Sequence, residues 1–199
     1  MERVFAVAGA AGKPAYEIAH LYPPQGQWSE DDYFALPDRN SYVELSEGMI
    51  VVPPHPTPEH QRILFKLAAR LQDYVQKHQL GEVLIAPVPV RLWPGKIREP
   101  DIFFFFREHA DRIGRQFCGV PDLVIEILSS GTRKTDRTEK FYEYARAGVG
   151  EYWMVDMDTG TVELFVLHEG AYLLKTKAAF NSEIASVLVT GFKIKLAED

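Results

Sequence analysis

Five consecutive residues, Ile102-Phe103-Phe104-Phe105-Phe106, are apolar without a break. A strand with one wet face alternates apolar and polar side chains, so an unbroken run predicts a central strand covered on both faces. A chain carrying such a strand must pack elements on each side of a sheet. The pattern therefore predicts an α/β or α+β fold: one mixed central β-sheet flanked by helices.

The rest of the chain supplies the elements. Ser29 followed by Glu30-Asp31-Asp32 predicts a capped helix running to about Leu36, before Pro37. Tyr42 to Leu45 and Met49 to Val52 read as strands joined by a tight turn at Ser46-Glu47-Gly48. Thr57-Pro58 starts a long helix, along which Ile63, Leu64, Leu67, Ala68, Leu71, Tyr74 and Val75 recur at helical spacing, with Gly81 as its stop. Glu82 to Trp93, Arg98 to Phe106 and Pro121 to Leu128 read as three strands, the first made irregular by Pro87 and Pro89. A helix over Thr135 to Ala147 ends at Gly148. Strands follow at 151–156, 161–167 and 171–177, then a short apolar segment at 192–196. Residues 1–27, broken by Pro23-Pro24 and Gly26, read as an irregular lead-in to one domain over 28–199.

Composition narrows the class. Of 199 residues, 46% are hydrophobic and 25% charged, which is ordinary for a globular protein. No apolar run reaches the roughly 20 residues of a membrane span, and the first eleven residues lack the basic start and apolar core of a signal peptide. Cys118 is the only cysteine, so neither an internal disulfide nor a thiolate metal cluster can form, and a cytoplasmic protein is expected. A net charge of −6 argues against broad, nonspecific nucleic-acid binding but permits a local basic surface.

Two carboxylates stand out against apolar strands. Asp101 opens the Ile102–Phe106 run, and Glu126 is the one charge within Leu123-Val124-Ile125-Glu126-Ile127-Leu128, on the face shared by Val124 and Leu128. A buried unpaired charge costs several kcal/mol, roughly, so each must reach solvent, a partner or a metal. If adjacent strands bring the two together, a divalent cation relieves their repulsion, and hard oxygen ligands suit Mg²⁺. Lys140, on the following helix with Tyr144 one turn on, could orient a water and stabilise developing charge.

These residues fall in an ordered set. Tyr42-Val43-Glu44-Leu45 with Gly48, His60, Glu99-Pro100-Asp101, Pro121 through Ser129, Lys140, Tyr144, Ala147-Gly148-Val149 and Glu151-Tyr152-Trp153 together resemble the putative restriction endonuclease family of the PD-(D/E)XK nuclease superfamily, over roughly residues 28–197. The resemblance implies a restriction-endonuclease-like fold and Mg²⁺-dependent hydrolysis of DNA, with Mn²⁺ as a substitute ion. Asp101 and Glu126 would hold the metal, and Glu44 would be a further acidic ligand. The superfamily lysine is absent, because Leu128 stands in its place, and Lys140 would be its replacement from the helix. Cutting two strands with two copies would make a homodimer.

Plainer readings stand beside these. Asp101 could cap a turn, Glu126 could pair with an arginine, and Lys140 could pair with Asp136 one helical turn away. Glu44 could be an ordinary strand residue. His60, on the core side of its helix, could be a structural histidine or an accessory to the site. Arg133, Lys134 and Arg137 could be a solvated helix face or, beside a metal, contacts to phosphate. Loss of the lysine at Leu128 leaves open a nuclease-fold binding or regulatory module without catalysis. A hydrolase of smaller phosphate esters is a third class, disfavoured by the absence of a phosphate-cradling glycine loop.

Overall fold

A computed structural model describes residues 22–36, 42–129 and 131–197. Most of the expected lead-in, and Pro37, lie outside the described residues. Residues 22–27 form no helix or strand, and the backbone N–H groups of Gly26 and Trp28 both donate to Gly48 O.

Helix α1 (Glu30–Phe34) is held by a capping box between Ser29 and Asp32. Strands β1 (Glu44–Ser46) and β2 (Met49–Val51) form the expected hairpin, with positive φ at both Glu47 and Gly48. Helix α2 (Pro58–Lys77) starts as its sequence predicts: the Thr57 side chain accepts from His60 N–H, and Pro58 takes the first turn. Its end differs from expectation. The helix stops at Lys77, Gln79 takes the left-handed conformation, and Gly81 opens β3 (Gly81–Ile85). Gly81 is a packing glycine: a Cβ there would sit 1.9 Å from Phe105 O on the paired strand.

Two expected strands are each divided. The stretch 82–93 becomes β3 and β4 (Val90–Trp93), separated by a cis Ala86-Pro87 bond, and the two belong to different sheets. The stretch 98–106 becomes β5 (Lys96–Arg98) and β6 (Ile102–Phe106), separated at Glu99-Pro100-Asp101. Pro100 has no N–H for a ladder, which suits a break at this point. The result is a four-stranded antiparallel sheet, β2-β1-β5-β4, beside the six-stranded sheet β10-β9-β8-β7-β6-β3. The smaller sheet was not expected; its charged strand β5 concealed it.

The large sheet contains β7 (Leu123–Leu128), β8 (Glu151–Asp156), β9 (Thr161–His168) and β10 (Ala171–Ala179). It is mixed: β7 and β8 run parallel, and its other pairs are antiparallel. A parallel pair needs a crossover. Here that crossover is helical: α3 (Arg133–Thr135), a π-helical stretch (Asp136–Lys140) and α4 (Phe141–Ala147), closed by left-handed Gly148. A short pair, β11 (Ile184–Ala185) and β12 (Lys193–Ile194), completes the described chain.

Both faces of the central strands β6, β7 and β8 are buried, as the phenylalanine run requires. On one face Leu64, Leu67, Leu71 and Val75 of α2 pack on Ile102, Phe104, Ile125 and Trp153. On the other, Tyr144 and Ala145 of α4 and Val90 and Leu92 of β4 pack on Phe103, Phe105, Val124, Leu128 and Tyr152. No described helix is long and apolar enough to cross a membrane.

Candidate active site

Strand register joins the two acids. In the antiparallel β6–β7 pair Ile102 faces Ile125, so the residue before Ile102 lies beside the residue after Ile125. Those residues are Asp101 and Glu126. Asp101 Oδ2 accepts from Ile127 N–H at 2.8 Å, and His60 Nε2 lies 3.1 Å from the same oxygen. His60 is buried and its Nδ1 has no hydrogen-bond partner among the described residues; because the Asp101 oxygen already accepts from Ile127 N–H, Nε2 is the fitting donor to it.

Glu126 lies on the sheet face that the helical crossover covers. Its Oε1 accepts from Lys140 Nζ at 3.0 Å and from Tyr144 Oη at 2.7 Å. Lys140 Nζ also lies 3.2 Å from Asp136 Oδ1 and 3.5 Å from Glu44 Oε1. The helical pair with Asp136 and the site role are thus both present in the geometry. One buried ammonium serves three buried carboxylates.

Glu44 joins this cluster from the smaller sheet. Its Oε2 accepts from Arg98 Nη1 at 2.7 Å and its Oε1 from Glu99 N–H at 3.2 Å. With Lys140 also on Oε1, both oxygens are engaged, and the side chain is held by cations and backbone. Arg98 in turn bonds Glu143 through Nε and Nη2, at 2.8 and 2.9 Å, and Lys96 Nζ bonds Glu143 at 2.8 Å. This second tier of Lys96, Arg98 and Glu143 was not singled out in the sequence. Its signal was available: Lys96 and Arg98 flank Ile97 in alternation, with Glu99 directly after.

Electrostatics separate the acids. Burial alone would raise Glu44, but Lys140 and Arg98 outweigh it and hold the carboxyl below its usual value. Burial pushes Glu126 up to about 8; Lys140 offsets part of that, while Asp136 and Asp101 add to it. Burial likewise raises Asp136, and burial with the Glu44 charge raises Glu99 to about 8. Burial would lower Lys140, yet Glu126, Glu44 and Asp136 carry it well above the ordinary lysine value. Lys140 is therefore an ammonium at neutral pH, a fixed positive charge and not a proton acceptor.

Asp101, Glu126 and Lys140 line one cavity of about 360 Å³, together with His60, Tyr42 and Thr132. Among the described residues, no three His, Cys, Asp or Glu side chains converge as a ready metal cage. Two acids do converge, and neither Asp101 Oδ1 nor Glu126 Oε2 takes part in the hydrogen bonds above. The donors at this wall are hard oxygens, and a cation would favour the ionised form of Glu126 that burial disfavours. That combination fits a Mg²⁺-type ion held by one or two carboxylates and completed by water.

The basic helix residues lie elsewhere. Arg133 Nη2 pairs with Asp156 Oδ1 at 2.7 Å and with Asp158, and Arg137 pairs with Glu163 Oε2 at 2.6 Å and Asp156 Oδ2 at 3.3 Å. These arginines cross-link the crossover to β8 and β9 and do not line the cavity. Lys134 is exposed on the same short helix. Leu128, where the superfamily lysine would stand, is buried in the apolar layer with Val90 and Tyr144.

No curated protein matches the chain. Among solved structures, it is similar to the crystal structure of a putative nuclease belonging to DUF820 from Anabaena variabilis, with a TM-score of 0.69 and 18% identity over 85% of this chain and 95% of that one. At that identity the likeness speaks for the fold, a restriction-endonuclease-like mixed sheet. Residues 30–197 match the Uma2 family, described as putative restriction endonucleases, and the chain belongs to that family.

Proposed function

We propose that this protein is a metal-dependent nuclease that hydrolyses phosphodiester bonds in DNA, using Mg²⁺ or Mn²⁺ held by Asp101 and Glu126. The observation that carries this reading is the pairing of two buried carboxylates, Asp101 just before β6 and Glu126 in β7, at one cavity wall, with a single lysine shared between Glu126, Glu44 and Asp136. Burial and the neighbouring acids push Glu126 up to about 8, so ionising it beside Asp101 is costly unless a cation completes the site.

A divalent cation bound there supplies positive charge to the phosphoryl oxygens. The protein's own groups do the remaining work. His60 and the Ile127 N–H fix the Asp101 carboxylate in orientation. Tyr144 holds Glu126 from the helix side. Lys140 presents its ammonium to the cavity, where it can orient a water and offset charge building on the phosphate. Glu44, in this reading, positions Lys140 and Arg98 and is not itself a metal ligand, because both its oxygens are already engaged. Arg133 and Arg137 brace the crossover, which leaves exposed Lys134 as the member of that cluster free to meet a phosphate.

Incubation of supercoiled plasmid with the protein and Mn²⁺ tests the assignment. Nicking is expected, with loss on Asp101→Asn or Glu126→Gln. DNA binding without nicking at any enzyme concentration would replace this reading with a non-catalytic binding module.

A further inference from the structure

The cavity beside Asp101 and Glu126 has a buried floor and an open rim. Asp101, Glu126 and Lys140 are 7%, 2% and 4% exposed, whereas Pro54, Pro56, Gln61, Ile85 and Pro87 at its edge are exposed. A phosphodiester that meets the two carboxylates must therefore enter the cavity together with its sugar. The rim it passes is mostly apolar. Among the described residues lining the cavity, Lys140 on the floor is the one Lys or Arg. A protein that grips duplex DNA does so mainly through cationic contacts to its phosphates, and this rim supplies none. Apolar surface meets sugars and bases, and the bases of a duplex are stacked inside it.

Helix α2 extends the rim. Gln61 lines the cavity and Phe65 follows it four residues on, so the two are neighbours on the helix surface. Phe65 is the anomaly: it is 74% exposed, and no aromatic ring packs on it among the described residues. Leu64 and Leu67 hold the helix to the sheet, so the helical repeat turns Phe65 outward and the core does not use it. Arg62, three residues before Phe65, is also exposed and has no acid partner among the described residues. A free aromatic face with a cation beside it is the pair of groups by which single-stranded nucleic acid is held: bases stack on the ring, and the cation meets the backbone.

We propose that the site takes a single-stranded or locally unpaired DNA strand, with one phosphodiester in the cavity, an adjacent base stacked on Phe65 and Arg62 on a phosphate of the same strand. A duplex offers no such base, because its π-faces are covered by their neighbours and unstacking one carries a cost that a single strand avoids. The proposal rests on the nuclease reading for the phosphodiester in the cavity; the platform itself rests on the free ring and the free cation.

Fluorescence anisotropy in EDTA, with a labelled single-stranded dodecamer and the same sequence as a duplex, tests the platform without cleavage. The single strand should bind about tenfold more tightly than the duplex. Phe65→Ala should weaken the single strand about tenfold and leave the duplex unchanged, whereas Phe65→Trp should keep the preference. Arg62→Gln should reduce the salt slope of single-strand binding by about 0.7. Both positions are on the surface, so neither variant threatens the fold. Duplex binding as tight as single-strand binding in the wild-type protein, or unchanged single-strand binding in Phe65→Ala, would overturn the proposal. Negative supercoiling favours local unpairing, so with Mn²⁺ a supercoiled plasmid should be cut ahead of its relaxed form. Single-strand preference that depends on Phe65, with no cleavage of any DNA, would support the platform and sink the nuclease reading alone. Cleavage of relaxed duplex as fast as single strand would sink this inference alone.

Discussion

Lys140 Nζ lies 3.0 Å from Glu126 Oε1, although one residue is on a helix and the other on the central strand before it. The ammonium cannot satisfy Glu126, Glu44 and Asp136 together, and burial with the neighbouring acids pushes Glu126 up to about 8, so the metal-free site holds Glu126 protonated at neutral pH. Replacing Glu126 by Gln mimics the protonated carboxyl and keeps an acceptor oxygen for Lys140 and Tyr144. Glu126→Gln should therefore hold or raise the metal-free Tm while lowering cleavage on the order of 10³-fold. A large fall in Tm, by differential scanning calorimetry, would show that the carboxylate is there for the fold.

His60 acts on the metal through Asp101. Groups that orient a metal ligand typically change affinity by roughly 10–100-fold. His60→Gln should weaken Mn²⁺ binding by about that factor in isothermal titration, with a much smaller effect on Tm. An unchanged Mn²⁺ affinity would make His60 a core histidine.

Metal binding should depend on pH with a definite sign. Glu126 is raised to about 8 in the folded protein, so below that pH it binds a proton that a cation must displace. Mn²⁺ affinity should rise with pH up to about 8, with protons released to the buffer. The same shift means that folding binds extra protons, so this group's contribution to metal-free stability is full below the unfolded value and is lost as pH rises through the folded one. Titrations in buffers of different ionisation enthalpy give the proton count; a count of zero contradicts the assignment.

The opposite sign holds at Asp156. Burial would raise it, but Thr159 N–H, Arg137 and Arg133 hold it below its ordinary value. Its stabilisation is present above the unfolded value and is lost as pH falls through the folded one. Asp156→Asn should flatten the acid limb of the stability curve without altering Mn²⁺ affinity, because this cluster lies away from the cavity. Weakened metal binding in that variant would place Arg133 and Arg137 back in the site.

Gly81→Ala tests the pairing of β3 with β6. A methyl group there has no space before Phe105 O at 1.9 Å, and backbone cannot yield as a flexible side chain can. A loss of at least about 2 kcal/mol in urea unfolding is expected. A neutral substitution would mean that the edge strand is displaced at little cost.

What the sequence determined by itself was local or periodic. Hydrophobic spacing and the Thr57-Pro58 start located α2, the unbroken phenylalanine run required two covered faces, and single charges in apolar strands marked Asp101 and Glu126. Those signals act within a few residues, so they can be read along the chain. Three matters were decided only by tertiary structure. Arg98 and Glu143 belong to one ion-pair tier because β5 pairs into a second sheet, a pairing between residues far apart in sequence. Arg133 and Arg137 turn to Asp156 and Glu163, because the acids of β8 and β9 lie beneath the crossover. Lys140 reaches Glu126 because a parallel β7–β8 pair demands a crossover on one face, and its π-helical stretch buries Asp136 and Lys140 there. Placement of a lysine against a carboxylate is a long-range packing outcome, and no spacing along the chain encodes it.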